Sequence, residues 1–196
     1  MCIRDRYRSI PKMTVIHPCD DLSAEELTVK LVDLEGPSYM RTARNKTTRL
    51  YDEDTSKNLQ IGKGSILRRG ADAAIISCGI MVEKSLEAAD ELCKEGIETT
   101  VVDLPTIKPL DEQLLAELAE ECGCFVSAED HSVIGGLGSS VSEWLVCNRP
   151  SPLEMVGVRD RFGESGTPEE LMTMMSINSE DVCNAVRKSI ERRNTN

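Results

Sequence analysis

A glycine-containing stretch at residues 129–139 carries the side chains best suited to chemistry. It reads EDHSVIGGLGS, follows the apolar run CFVSA and precedes the amphipathic segment SVSEWLVC. This order is typical of a strand, a charged turn and the glycine-rich start of a helix. Backbone amides at such a start can approach a phosphate or another backbone closely. We therefore select four residues as candidates for an interface or a position near an active site: Glu129, His131, Gly135 and Gly136.

The role of His131, one of two histidines in the chain, stays open. Its imidazole could exchange a proton, donate a hydrogen bond to a partner, or hold the turn together. Glu129 and Asp130 are adjacent and cannot be assumed to face each other as a catalytic pair. His17, before Pro18, has no nearby partner in the sequence, and we interpret it as structural.

A basic loop follows the short run SYMRT and forms the second candidate site. It contains Arg41, Thr42, Arg44 and Lys46. Cationic donors at the carboxyl end of a strand can hold a phosphate, and arginine does so with two parallel bonds. A solvated basic loop is the alternative interpretation. Arg44 and Arg41 are the candidate phosphate ligands.

Nucleotide and metal sites are disfavoured by spacing. The dinucleotide pattern G-x-G-x-x-G needs a third glycine at position 141, where the chain has Val141, and the turn at Gly79 lacks such glycines too. Cys122 and Cys124 form C-x-C, a poor match to metal-site spacings. We predict no cofactor or metal site formed by this chain alone.

Composition and charge exclude several classes of protein. The net charge of −11 disfavours unaided binding to nucleic acid or to an anionic membrane. No apolar run approaches the roughly 18 residues of a membrane span, and no secretory signal is recognisable. Four cysteines fall at apolar positions of predicted elements: Cys78, Cys93, Cys147 and Cys183. Buried free thiols in a reducing cytoplasm are the resulting prediction.

The chain divides into two unequal parts around a polar segment. Residues 1–7 show no periodic pattern; we predict a non-native leader and give it no part in the fold. Residues 8–46 read as strand, helix and strand, with Ser23 as the helix cap and Gly36 as its end. Residues 47–60 are polar and are interpreted as a linker.

Residues 61–196 read as a larger α/β unit that could stand alone. GKGSILRR and AAIISC are predicted to pair as a hairpin around Gly70, followed by strands TTVVDL, CFVSA and EMVGV alternating with helices. Asp111 and Ser179 are the predicted caps of two of these helices. The alternation predicts a mostly parallel five-stranded sheet with helices on both faces. The loop VRDRFGESG after the last strand is interpreted as an interface, with a lid as the alternative.

Five strings, in this order and spacing, resemble the carboxyl-terminal part of transketolase: RSIPKMTVIHPCD, GPSYMRTAR, DLPTIKPLD, AEDHSVIGGLGS and VRDRFGESG. Together they cover nearly everything from Arg8 to the end, and the chain is most similar to a separately encoded carboxyl-terminal subunit. The resemblance implies that residues 8–46 are the end of the pyrimidine-binding domain and residues 61–196 the carboxyl-terminal domain. It also implies an α/β fold and a surface that takes part in a dimer interface.

The resemblance implies a role in carbohydrate metabolism, in the pentose phosphate pathway, as a ketol transferase. Two-carbon units pass between sugar phosphates on thiamine diphosphate with Mg²⁺, and the cofactor does the hard chemistry. Arg44, in T-A-R, falls on the arginine that holds the substrate's phosphate; Arg41 is the weaker candidate. The family's diphosphate motif and activating glutamate have no counterpart here. The chain is therefore expected to be truncated, inactive alone, and completed by an amino-terminal subunit and a homodimerisation partner.

Two alternatives remain open. The chain could be a non-catalytic dimerisation or assembly module. Within the enzyme class, it could be the corresponding part of deoxyxylulose-phosphate synthase or of a 2-oxo-acid dehydrogenase β subunit. GPSYMRTAR and EDHS favour transketolase over both relatives.

Overall fold

The computed structural model describes residues 3–195, which form two sheets covered by helices. Met1, Cys2 and Asn196 lie outside the described residues, so the predicted leader and the last unit are described only in part. The first half contains, in order, α1 (Arg4–Ser9), β1 (Thr14–Ile16), α2 (Asp21–Val32), β2 (Ser38–Met40), a 3₁₀ turn (Ser56–Asn58), β3 (Ser65–Arg68), β4 (Ala73–Ser77) and α3 (Met81–Lys94). The second half contains β5 (Thr99–Asp103), β6 (Thr106–Lys108), α4 (Glu112–Glu121), β7 (Phe125–Ser132), α5 (Leu137–Asn148), β8 (Leu153–Val158), α6 (Pro168–Met174) and α7 (Ser179–Thr195).

The larger sheet has five strands in the order β3-β5-β4-β7-β8, and every pairing except β3 with β5 is parallel. Alternate residues of β4 face opposite layers: Ala74 and Ile76 pack with α4 and α5, whereas Ala73 and Ile75 pack with α3 and α7. A strand buried on both faces needs a continuous apolar run, which β4 has. The predicted fold class, a mostly parallel sheet with helices on both faces, is confirmed.

The predicted hairpin around Gly70 is wrong. β3 pairs antiparallel with β5, and β4 lies on the other side of β5. The fully buried β4 belongs at the centre of the sheet, whereas β3 is only partly buried and lies at the edge. Gly70 allows this crossing, because a Cβ there would lie 2.5 Å from the Thr99 amide nitrogen of β5.

The smaller sheet joins the two predicted parts of the chain. Its order is β2-β1-β6, with β1 parallel to β2 and antiparallel to β6. The strand–helix–strand unit at residues 8–46 therefore gains its third strand from the larger unit. Met13 and Val15 also pack in the cluster that covers one face of the five-stranded sheet. The domain boundaries themselves remain a prediction.

The segment at residues 47–60, predicted to be a linker, is anchored to both parts. Tyr51 and Leu59 are buried beside Ile16 and Leu27. The Tyr51 hydroxyl donates a hydrogen bond of 2.9 Å to Asp103 at the end of β5. Although the segment is mostly polar, these two buried side chains fix its path across the molecule.

Two predicted helix caps are wrong by one to three residues. Asp20, not Ser23, caps α2: its carboxylate accepts from the Ser23 amide at 2.7 Å, and the Ser23 hydroxyl accepts from the Asp20 amide at 3.0 Å. Asn178, not Ser179, caps α7, since its side chain accepts from the Asp181 amide at 3.1 Å. Asp111 caps α4 as predicted, accepting from an amide of that helix at 3.2 Å.

The leader takes part in the fold, contrary to expectation. Residues 4–9 form α1, and Arg4 is fully buried against His17, Cys78 and Glu129. A short charged segment without periodicity gave no sign of this contact. That residues 1–7 are non-native stays a prediction.

The cysteines are not all buried, contrary to the prediction. Five described cysteines are buried, whereas two that were predicted to be buried, Cys93 and Cys147, are exposed. All seven described cysteines are free. Among residues 3–195, no helix combines the length and apolar character that crossing a membrane requires.

Burial raises the pKa of Asp103 from its usual 3.8 to about 7, although bonds from Tyr51 and Cys19 oppose the shift. Because the pKa of Asp103 is higher in the folded than in the unfolded state, its protonation stabilises the folded state. This stabilisation is complete below pH 4 and is lost as the pH rises to about 7. Asp103→Asn should abolish this loss, which is on the order of 4 kcal/mol. Urea unfolding of both proteins at several pH values from 4 to 8 measures it. A constant difference in the free energy of unfolding across that range would contradict the prediction.

Candidate functional site

The charged residues at 129–131 lie in a strand rather than in the predicted turn. β7 runs from Phe125 to Ser132, and its register with β8 shifts after Ala128. Successive side chains of a strand point to opposite faces. Glu129 therefore faces the start of α5, whereas Asp130 faces Arg41.

Glu129 occupies the amino-terminal end of α5. Its fully buried carboxylate accepts hydrogen bonds from the backbone amides of Leu137 at 2.9 Å and Gly138 at 2.8 Å, and it pairs with Arg4. Burial raises the pKa of this carboxyl, while the charge of Arg4 and the two amides oppose the increase. The glycine-rich start that we considered for a phosphate is therefore filled by the protein's own carboxylate.

Gly136 is required because Glu129 approaches so closely. A Cβ at this position would overlap the Glu129 carboxylate and lie 2.5 Å from the Ser132 carbonyl oxygen. Gly135, with a φ of 74°, makes the preceding turn, and its carbonyl accepts from Arg8 at 3.0 Å. Gly136 thus serves a close approach within the chain, whereas Gly135 serves a turn in the left-handed region.

Gly136→Ala should lower the free energy of unfolding by about 2–3 kcal/mol, since the added methyl group must displace a buried carboxylate or the backbone. Chemical denaturation measures the loss. Gly163→Ala is the matched control, because no heavy atom lies within 4 Å of a Cβ there. Equal effects of the two substitutions would contradict the assigned role of Gly136.

His131 is brought into the interior rather than to a ligand. Its Nδ1 donates to the Ser132 carbonyl at 2.9 Å, and its Nε2 lies 3.8 Å from Asp5. Burial lowers its pKa to about 4, so the ring is neutral at pH 7. Of the three interpretations left open, this geometry favours the one in which the imidazole holds the local structure together.

His17 is fully buried and, as expected from the sequence, makes structural contacts. Its Nδ1 lies 2.7 Å from Arg4 and 3.6 Å from Asp130. Burial and the charges of Arg4 and Arg41 hold its pKa well below the usual value. The ring lies against Gly79, where a Cβ would overlap it. No sequence signal linked His17 to these partners, which lie up to 113 positions away in the chain.

The basic loop lines a cavity of about 460 Å³. Its walls come from the carboxyl end of β2, the start of α3, β7 and α6, and the charged lining residues are Arg41, Arg44, Lys46, Glu83, Lys84, Asp130 and Glu169. Ligands of α/β sheets bind beyond the carboxyl ends of strands. The volume lies in the range of small-molecule sites.

The two candidate arginines differ in their partners. Arg41 forms a bidentate pair with Asp130, with nitrogen–oxygen distances of 2.9 and 2.7 Å. Arg44 is exposed and, within residues 3–195, makes no hydrogen bond or ion pair. Its guanidinium is therefore free to bind an anion, whereas that of Arg41 is already engaged.

The loop VRDRFGESG leads to the same cavity. Residues 159–167 are exposed, and α6 directly after them contributes Pro168, Glu169 and Met172 to the wall. Phe162 is 96% exposed, which is unusual for a phenylalanine. The structure thus places this loop at the surface beside the candidate site.

The described residues do not fit the metal of the implied cofactor. Within residues 3–195, no group of three or more His, Cys, Asp or Glu side chains could hold a metal ion. We therefore assign no Mg²⁺ to these residues.

A mostly parallel sheet covered on both faces defines an α/β domain, and cationic side chains line a cavity at the ends of two of its strands. Residues 62–182 match the family model described as transketolase, C-terminal domain. The chain belongs to the transketolase family, of which it carries the carboxyl-terminal domain, and this confirms the resemblance in the sequence.

Individual relatives agree with that assignment. A 6-deoxy-6-sulfo-D-fructose transketolase subunit of Clostridium sp. is 40% identical over 95% of this chain and 58% of its own length. A 1-deoxy-D-xylulose-5-phosphate synthase of Syntrophotalea carbinolica is 35% identical over 92% of this chain and 28% of its own length. A solved structure described as a split gene transketolase, inactive beta4 tetramer, is 40% identical with a TM-score of 0.93 and covers 96% of this chain and 61% of its own. The chain thus spans about three fifths of the Clostridium subunit and of the solved structure, and just over a quarter of the synthase.

Proposed function

We propose that this chain is the carboxyl-terminal part of a transketolase subunit. With an amino-terminal partner subunit, it would transfer two-carbon ketol units between sugar phosphates, in an assembly whose thiamine diphosphate and Mg²⁺ are held outside the described residues. The chain alone would be inactive, and it would work in the cytoplasm. Family membership supports the reaction class, and the unpaired Arg44 in its cavity is the observation that carries the role of this chain.

Arg44 would bind the terminal phosphate of the substrate. A free guanidinium can donate two parallel hydrogen bonds to phosphate oxygens without first breaking an ion pair. Lys46, on the same loop, adds a second positive charge to the lining. Arg41 would contribute less, because Asp130 already accepts both of its donors.

A sulfonated sugar is a second candidate substrate. The Clostridium relative is named for a sulfo-sugar, and it shares 40% of aligned residues with this chain. A sulfonate offers three acceptor oxygens, as a phosphate does, but carries a single charge. Arg44 could bind either group by the same geometry.

Arg44→Ala should weaken binding of a sugar phosphate to the chain about 10- to 100-fold, because a charge-assisted interaction is lost. Calorimetry with the purified chain measures the affinity. In the reconstituted two-subunit enzyme, the same substitution should raise KM for phosphorylated sugars.

Arg49→Ala is the matched control. Arg49 is a nearby arginine that pairs with Asp21 and lies outside the 460 Å³ cavity. Unchanged affinity in Arg44→Ala, or an equal loss in both variants, would rule out the phosphate role of Arg44.

Self-association is the second part of the proposal. A larger side chain at Gly136 would disturb the fold, because Glu129 occupies the space beside it, so substitution there does not test self-association. The exposed Phe162, flanked by Arg161 and Glu164, offers an apolar centre with both signs of charge at its rim. Such a surface suits an interface between copies, with charged groups around a buried aromatic residue. An assembly module without catalysis would use the same surface.

Phe162→Asp should raise the dissociation constant for self-association at least about tenfold, because an aromatic anchor is replaced by a charge. Sedimentation velocity over a concentration series measures it. Val146→Asp, at a 73% exposed position on α5, is the control. If Phe162→Asp sediments as the wild type does, the loop is not the interface.

A further inference from the structure

The ion pair between Asp130 and Arg41 lies in the wall of the 460 Å³ cavity that Arg44 also lines, here called the Arg44 cavity. Both side chains are partly exposed, at 14% and 31%. The pair therefore borders the space that a ligand would enter, rather than lying in the core.

The other basic groups near Asp130 are either neutral or paired with another carboxylate. His17, at 3.6 Å, is neutral because burial lowers its pKa. Arg4 pairs with Glu129 on the opposite side of β7. Arg41 is thus the cation with which Asp130 makes its hydrogen bonds.

The charges of the cavity lining nearly balance. Four cations and three carboxylates line it, so the net charge of the lining is one positive. Lys84 also pairs with Glu87 at 2.6 Å, outside the lining. With Asp130 present, the lining matches a singly charged end group; without it, the net charge would be two positive and would match a dianion.

We propose that Asp130 is a specificity-determining residue, which neutralises Arg41 and so lowers the preference of the cavity for doubly over singly charged oxyanions. This deepens the proposed function and rests on it, since it requires that the Arg44 cavity takes the anionic end of the substrate. Coulomb energy scales with ligand charge, so a carboxylate in the wall opposes a phosphate dianion about twice as strongly as a sulfonate.

The test uses methyl phosphate, a dianion at pH 8, and methanesulfonate, a monoanion, as probes for calorimetry with the full chain. Asp130→Asn should raise the affinity for methyl phosphate about tenfold and that for methanesulfonate about threefold. The ratio of the two affinities is the decisive quantity, because a general disturbance of the cavity would change both alike.

Two further variants keep the result interpretable if Asp130→Asn folds poorly. Arg41→Gln should lower the affinity for methyl phosphate more than that for methanesulfonate. The double variant carrying both substitutions restores the net charge of the lining, and its affinity ratio should return to the wild-type value.

Asp21→Asn is the matched control, since Asp21 forms a similar pair with Arg49 in the wall of a neighbouring cavity. It should leave the ratio unchanged. An unchanged ratio in Asp130→Asn, an equal shift in Asp21→Asn, or no binding of either probe to the wild type would overturn the proposal. If Arg44→Ala abolishes binding while Asp130→Asn leaves the ratio unchanged, only the role of Asp130 fails and the phosphate role of Arg44 stands.

Discussion

Two adjacent carboxylates on β7 must both be compensated, and much of the surrounding structure follows from that requirement. An uncompensated buried charge is costly, so each carboxylate needs donors on its own face of the sheet. Glu129 obtains two backbone amides at the start of α5 together with Arg4. Asp130 obtains both donors of Arg41. One strand therefore fixes both the start of a helix and the wall of the candidate site.

A further carboxyl group, which is fully buried, lies at the seam between the two sheets. Asp103 ends β5 and accepts from Tyr51 of the polar segment and from Cys19 of the β1–α2 turn. β6, a few residues later, completes the smaller sheet. The smaller sheet thus relies on the larger unit for a strand and for a buried polar contact, and the two parts of the chain hold each other in position.

The proposed selectivity of the cavity rests on the different states of Arg41, which is paired with Asp130, and Arg44, which is unpaired among the described residues. A guanidinium already held by a carboxylate contributes position and charge balance, whereas a free one contributes binding. The chain spans about three fifths of the length of the similar Clostridium subunit and of the similar solved structure, and residues of several elements line the cavity. Under the proposed function, this chain would bind the distant end of the substrate, and the catalytic groups would come from the rest of the assembly.

The sequence by itself determined the fold class, the family and the basic loop that carries Arg44. Continuous apolar runs predict buried parallel strands, because local hydrophobicity records burial on both faces, and Asp111 is recognisable as a cap because capping is local. Strand order, the partner of Arg41, the position of His17 and the carboxylate within the glycine turn were decided by the tertiary structure. Each of these depends on residues far apart in the chain. Local propensity contains no information on which distant donor will meet a buried charge. The glycine turn therefore resembles a ligand site in the sequence, although Glu129 fills it in the structure.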